Sequence, residues 1–473
     1  MKEGRRRPAA WMVDGRLSPL IALVGLSLAG AGVGVASEAL KSSADTDGAS
    51  LSAVATLGRQ LFYDTALSGN RQMSCATCHD PGNHYSPSNG LAVQMGGRGG
   101  DQPGLRAVPT LAYKMTTPSF SVGGESAASE AAEAAPMAEA SGPLLSTAPA
   151  ATAGPLIAQA VVKAASNLPD LVPQGGMFWD GRVDSLQEQA LQPMISPFEM
   201  ANANEDAVYE KLKQLYGSEL SGLFGAGVLQ DRDMTIAEAG FAIARYQIEE
   251  PSFHPFSSKY DAYLRGAATL SDSETRGLKL FDDPQKGNCA SCHLDKPSAD
   301  GQPANFTDFE FEGLGVPRNR AIPANADPGY FDVGICGPLR NDAYSAQKEN
   351  CGLFKTPTLR NVATRHVFFH NGVYSNLQDV LHFYVERDTD PEKFYPTDGA
   401  GSVLKYDDVP AAYQANMDVI DAPFNRKPGQ APALNEAEIS AVITFLATLT
   451  DGYKTSAAPN RSLEIKAAGA TGK

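Results

Sequence analysis

Apolar residues recur at helical spacing in several stretches of the chain, and long strand-like alternation is absent. Leu51–Tyr63 carries Val54, Leu57, Leu61 and Phe62 near one side, the i, i+3, i+4 pattern of an amphipathic helix. Met234–Ile248 repeats the pattern with Ile236, Ala239, Phe241, Ile243, Ala244 and Tyr246. Leu270-Ser271-Asp272-Ser273-Glu274 reads as a helix start, with Ser or Asp capping and Glu274 in the first turn. That helix leads towards Cys289. A last helix is expected from about Asn435 to Leu449, with Ile439, Val442, Ile443, Phe445 and Leu446 on or near its inner side. The connections are long and rich in Gly and Pro, including the link through Pro251, Phe253, His254 and Pro255. The fold class expected is mostly α with long loops.

The remaining stretches read differently. Arg5, Arg6 and Arg7 precede an uncharged apolar run from Leu17 to Ala36 that ends in Gly34-Val35-Ala36. This is the pattern of an export signal over 1–36. Residues 17–36 also reach the minimum length for an uncleaved membrane anchor. The rest of the chain is expected in the periplasm under either reading. Residues 37–50 read as a polar linker. Residues 125–160, dominated by Ala, Glu, Ser, Pro and Thr, read as a low-complexity insertion, and 451–473 as a flexible tail. The chain has 473 residues and a formal charge of -15, which argues against nucleic acid as a partner.

Chemistry enters with two short strings. Cys75-Ala76-Thr77-Cys78-His79 and Cys289-Ala290-Ser291-Cys292-His293 are both CxxCH. In this motif two thiols can add to the vinyl groups of a haem, and the adjacent imidazole becomes the axial ligand of its iron. A thioredoxin-like pair does not require that histidine, and export makes a zinc site from two CxxC elements less attractive. The cofactors expected are therefore two covalently bound c-type haems. Of the 6 cysteines, Cys336 and Cys351 remain. Export suits a disulfide between them; two buried thiols are the alternative.

Further strings carry a family resemblance. They are Gly175-Gly176-Met177-Phe178-Trp179-Asp180-Gly181-Arg182, Gln189, Pro197-Phe198-Glu199-Met200, Phe354-Lys355-Thr356-Pro357-Thr358-Leu359-Arg360-Asn361-Val362 and Phe369-His370-Asn371-Gly372. With the two CxxCH motifs, the chain resembles the bacterial dihaem cytochrome c peroxidase and MauG superfamily over roughly 51–120 and 171–450. The resemblance implies two cytochrome c-like haem domains, a peroxidatic one over 51–250 and an electron-transfer one over 251–450. It implies Trp179 between the haems and Glu199 as acid and base beside the first. Gln189 and Pro193 match distal positions of the MauG branch. Arg106 and Arg360 are expected at haem propionates, with Asp180 and Arg182 orienting the Trp179 loop or binding a propionate.

The departures from the family matter for the irons. Met95 stands where the resting peroxidases carry a distal histidine, so the first haem is open or held by Met95 or His84. The ordinary peroxidases place a methionine on the second haem, whereas MauG uses tyrosine. Here Tyr384 aligns with that position and His382 is the rival. A tyrosinate would lower that haem's reduction potential. The family's calcium ligands fall on Ala107, Arg365 and Val367, which puts calcium in doubt; the charge of Arg365 filling that place is a hypothesis.

The leading function is reduction of hydrogen peroxide to water with electrons from an external donor, through an oxidised state shared by both haems. A small cytochrome or cupredoxin is the expected donor, and homodimers occur in the resembled family. The first alternative is a MauG-like maturation enzyme that uses the same state to oxidise residues of a partner protein. Tyr384 favours that branch, although Trp11 lies in the export region and leaves Trp179 as the one tryptophan beyond it. The second alternative is a dihaem electron-transfer protein without catalysis.

Overall fold

The computed structural model describes residues 50–123, 172–298 and 301–455. The chain divides into two units, Met1–Ser50 and Leu51–Lys473, and every element below belongs to the second. The export segment, nearly all of the linker and the 125–160 insertion lie outside the described residues, as does the tail from residue 456. No described helix is long and apolar enough to cross a membrane.

The described residues form nine α-helices. They are α1 (Ala53–Tyr63), α2 (Cys75–Cys78), α3 (Leu186–Ile195), α4 (Glu205–Phe224), α5 (Arg232–Glu249), α6 (Lys259–Leu264), α7 (Asp272–Asp282), α8 (Leu377–Glu386) and α9 (Glu436–Ala447). Strands are limited to antiparallel two-residue pairs, such as Met95–Gly96 with Gln102–Pro103 and Phe311–Glu312 with Phe354–Lys355. Side-chain caps set the helix starts. Ser52 Oγ accepts the N–H of Ala55, and Ser271 with Glu274 closes a capping box on α7. The loop disulfide Cys336–Cys351 is formed.

Two helix pairs organise two apolar cores. In the first, α1 lies on α5 at Gly58, where a Cβ would overlap the carbonyl oxygen of Ala242. In the second, α7 lies on α9 at Gly277, where a Cβ would overlap that of Ala441. Leu61 and Phe62 follow the first glycine at the same spacing as Leu280 and Phe281 follow the second, and all four are buried. Tyr246 and Phe445 stand four residues beyond the two alanines and complete the respective cores.

The likeness extends beyond the helix pairs. Pro109-Thr110-Leu111 and Pro357-Thr358-Leu359 follow the two CxxCH motifs, and each threonine hydroxyl donates across its lobe at 2.6 Å, to His84 O and Asn305 O. Next comes a tight turn closed by a bridge, Met177 with Val183 and Phe368 with Tyr374. Both turns hold left-handed residues at matching places, Phe178 and Gly181 in one, Phe369 and Gly372 in the other. A capped helix follows each turn, α3 from Ser185 and α8 from Asn376. The order helix, CxxCH, Pro-Thr-Leu, turn, helix, helix therefore occurs twice, with α4 inserted between the last two helices of the first copy. In that register Trp179 corresponds to His370, and Pro193 to Tyr384.

Candidate functional site: two cavities sharing a wall

Each CxxCH motif lines its own cavity. The first encloses about 2120 Å³ with its open mouth and is lined by Cys75, Cys78, His79, Gln189, Pro193 and Glu199, among others. The second encloses about 1710 Å³ and is lined by Cys289, Cys292, His293, Tyr384, Leu381 and Phe424, among others. Trp179, Lys355 and Pro357 line both cavities.

The two imidazoles are held alike. His79 Nδ1 lies 3.1 Å from Tyr85 O, and His293 Nδ1 lies 2.9 Å from Phe306 O. A carbonyl can only accept, so each Nδ1 carries the proton and each Nε2 keeps its lone pair, the form that ligates a metal. Burial pushes both imidazoles down to about 4, which keeps them neutral at physiological pH. Burial pushes the thiols of Cys75 and Cys289 up to about 12. A redox pair needs a depressed thiol, which burial here opposes. The two CxxC pairs also line different cavities, and no described group of three or more His, Cys, Asp or Glu could hold a metal ion.

Orphaned charge on the shared wall tests the fit of haem. Lys114 faces the first cavity, Arg365 the second and Lys355 both. Burial depresses all three, Lys114 to about 8, Arg365 to about 10 and Lys355 well below its ordinary value. None makes an ion pair among the described residues; Lys355 Nζ donates to Gly176 O, and Arg365 donates to Val108 O at 3.2 Å. Desolvated cations without anions are costly. The carboxylates of a propionate-bearing cofactor supply what this wall lacks, so the residues fit two c-type haems. Neither Lys114 nor Lys355 stands out in the sequence, because their burial arises only when distant segments meet.

Around Trp179 the polar contacts are dense. Its indole N–H donates to Ala107 O at 2.8 Å, and its own carbonyl accepts from Lys355 N at 2.9 Å. Asp180 is fully buried between Arg106 and Arg182, and Arg106 also binds Asp332 through two nitrogens. Arg106 lines the first cavity. Arg360 does not reach either: its guanidinium is paired twice with Asp261 and donates to Ala304 O. Arg360, expected at a propionate, is held in an internal ion pair, and Lys355, five residues earlier, lines both cavities.

The distal walls differ in kind. Gln189 and Pro193 stand one turn apart on α3 and face the first cavity with Glu199. The Glu199 loop is fixed where Gly97 N donates to Glu199 O at 2.9 Å. Burial raises the Glu199 carboxyl, against the opposing pull of the Ser196 hydrogen bond and the Arg182 charge. Met95 reaches this cavity's lining, whereas His84 does not. On α8, Tyr384 faces the second cavity between Phe369 and Phe424, and burial raises its phenol. His382 does not line that cavity and lies beside Glu386 at 3.3 Å and Glu436 at 3.5 Å.

Comparison with known proteins agrees with this geometry. The sequence profile of the di-haem cytochrome c peroxidase family (CCP_MauG) matches residues 52–269. The methylamine utilization protein MauG of Paracoccus denitrificans is 31% identical over 411 residues, covering 84% of this chain and 89% of that protein. The cytochrome c551 peroxidase of Nitrosomonas europaea is 27% identical over 332 residues, covering 69% and 71%. The crystal structure of the diheme peroxidase BthA from Burkholderia thailandensis superposes with a TM-score of 0.68 at 36% identity, covering 84% of this chain and 86% of that one. With its two CxxCH cavities on one shared wall, this chain belongs to the bacterial dihaem cytochrome c peroxidase and MauG superfamily of haem-dependent oxidoreductases.

Proposed function

We propose that the protein reduces hydrogen peroxide to water at the first cavity, drawing two electrons from an external donor protein. Cys75, Cys78 and His79 would hold one haem and Cys289, Cys292 and His293 the other, and bound there the pair would supply a peroxide-reactive iron and a second redox centre. Glu199 takes a proton from one peroxide oxygen and returns it to the leaving oxygen. Its raised pKa brings the carboxyl nearer to the pH at which both transfers must run. Gln189 offers a neutral donor and acceptor beside it. Two further protons and the two donor electrons complete two waters.

The observation that carries this reading is the inequality of two equivalent helix positions. Pro193 has no donor atom to block the first cavity, whereas Tyr384 presents a phenol oxygen to the second. Tyr384, and not His382, is the second-site ligand in this reading. The apolar wall opposes ionisation of that phenol, so a tyrosinate here requires the charge of the metal. Trp179 lies on the shared wall with its N–H fixed, and it passes charge between the sites so that both hold the oxidising equivalents. Arg365 supplies positive charge at the second cavity, at a position where the family resemblance expects a calcium ligand.

Rapid-mixing spectroscopy with donor-dependent peroxide consumption tests the proposal. Glu199→Gln should retain both haems and lose most of its peroxide reactivity; unchanged reactivity would remove Glu199 from the mechanism. Tyr384 also favours a second reading, because a MauG protein is the 31% identical relative. In that reading the oxidised sites withdraw electrons from side chains of a docked protein. A peroxide-dependent mass change in a partner protein would distinguish it from scavenging.

A further inference from the structure

The duplicated architecture exposes one difference that the peroxide reaction does not use. Behind the second cavity the positions beside the axial histidine are Phe281, Phe306 and Phe445. Behind the first they are Phe62, Tyr85 and Tyr246, with Tyr63 following Phe62 where Asp282 follows Phe281. The first cluster thus carries hydroxyls at two positions where the second has phenylalanine, while the second cluster's own buried phenol, Tyr260, is held by Asp295.

Those hydroxyls have places to send protons. Tyr85, whose carbonyl holds His79, bonds Ser252 Oγ at 2.6 Å, and Ser252 Oγ donates to Glu250 Oε1 at 3.0 Å. The Tyr246 hydroxyl lies 3.5 Å from that of Tyr63, which is 42% exposed. Phe62, on the first cavity's wall, touches all three tyrosine rings edge-on with centroids 5.2–6.1 Å away.

We infer that Tyr85, Tyr246 and Tyr63 form an escape route that carries oxidising equivalents from the peroxidatic site to the surface when no donor is bound. In each transfer the site gains one electron from a tyrosine and one oxidising equivalent is consumed. Oxidised Tyr85 passes its proton to Ser252 as Ser252 passes one to Glu250. An electron from Tyr246 then restores Tyr85 as the proton returns from Ser252; oxidised Tyr246 passes its own proton to the Tyr63 hydroxyl oxygen and takes it back as Tyr63 gives up an electron to it. Tyr63 loses its proton to water, and a soluble reductant later returns an electron while water returns the proton.

The inference rests on the peroxidase reading, so its test separates the two. Diferric holoenzyme is mixed with stoichiometric peroxide, without donor, in the presence of a nitroso spin trap, and adducts are mapped by peptide mass spectrometry. An adduct at Tyr63 is expected, lost in Tyr246→Phe and diminished in Ser252→Ala, while the haem absorption of both variants still responds to peroxide. The substitution Tyr246→Phe installs the residue that the other lobe uses, so the fold should tolerate it. An adduct at Tyr63 unchanged in Tyr246→Phe, or adducts confined to other residues such as Tyr263, would overturn the route. Failure of the unmodified protein's haem absorption to respond at all would overturn the peroxidase reading and the route with it.

Discussion

Replacing Glu199 by Gln should separate chemistry from stability. The amide keeps the volume of the carboxyl and its place beside Ser196 and Arg182, but it cannot cycle a proton. General acid–base catalysis contributes about 10²–10⁴-fold, so peroxide reactivity should fall by that factor, about 2.7–5.4 kcal/mol in the barrier. The pH profile supplies the sharper test. Burial raises the Glu199 carboxyl above its ordinary 4.5, and only the ionised form accepts the first proton. The wild-type rate should therefore fall as pH drops through that raised value, and the variant should lose this limb. Stability should move the other way. A carboxyl whose folded pKa exceeds its unfolded value costs the fold stability as pH rises through the two. The substituted amide carries no such cost, so thermal unfolding of the variant near neutral pH should come no earlier than that of wild type. A variant that keeps the acid limb, or reacts with peroxide at the wild-type rate, would refute the assignment.

Other consequences follow from particular contacts. Tyr384→Phe should abolish the low-spin ferric signal of the second haem, whereas His382→Ala should leave it unchanged; the reverse pattern in electron paramagnetic resonance would make His382 the ligand. Gly277→Ala puts a Cβ into the carbonyl of Ala441 where α7 crosses α9 and should cost about 1–3 kcal/mol or more in denaturant titrations. Chelators should leave peroxide turnover unchanged, because the charge of Arg365 takes the place of calcium in this reading; stoichiometric calcium in metal analysis would contradict that.

Much of this was legible in the sequence, for physical reasons. The helices at 53–63, 232–249, 272–282 and 436–447 announce themselves through apolar spacing and local caps such as Ser271 with Glu274. The CxxCH strings carry their chemistry in five consecutive residues. The 20-residue α4 is absent from the sequence expectations although Asn204 caps it and Glu205 and Asp206 stand in its first turn. The duplication is hard to see in the sequence: beyond CxxCH it survives mainly in Gly58 and Gly277, two Pro-Thr-Leu strings and two left-handed turns, at unequal intervals. Arg360 and Lys355 share one string, yet only the folded chain shows that Asp261 takes the first and that the second faces the cavities. The phenols behind the first cavity look like ordinary core residues until their counterparts in the other lobe are seen to be phenylalanines.

The central claim is that peroxide reacts at an open first site and that its oxidising equivalents are shared with a Tyr384-ligated second site through Trp179. Electron paramagnetic resonance and Mössbauer spectroscopy of the diferric protein, before and after stoichiometric peroxide, test it most directly. The account predicts one high-spin and one low-spin ferric haem at rest, and oxidation of both irons after peroxide. Two low-spin ferric haems unchanged by peroxide would contradict it, and would assign Met95 or another side chain to the first iron.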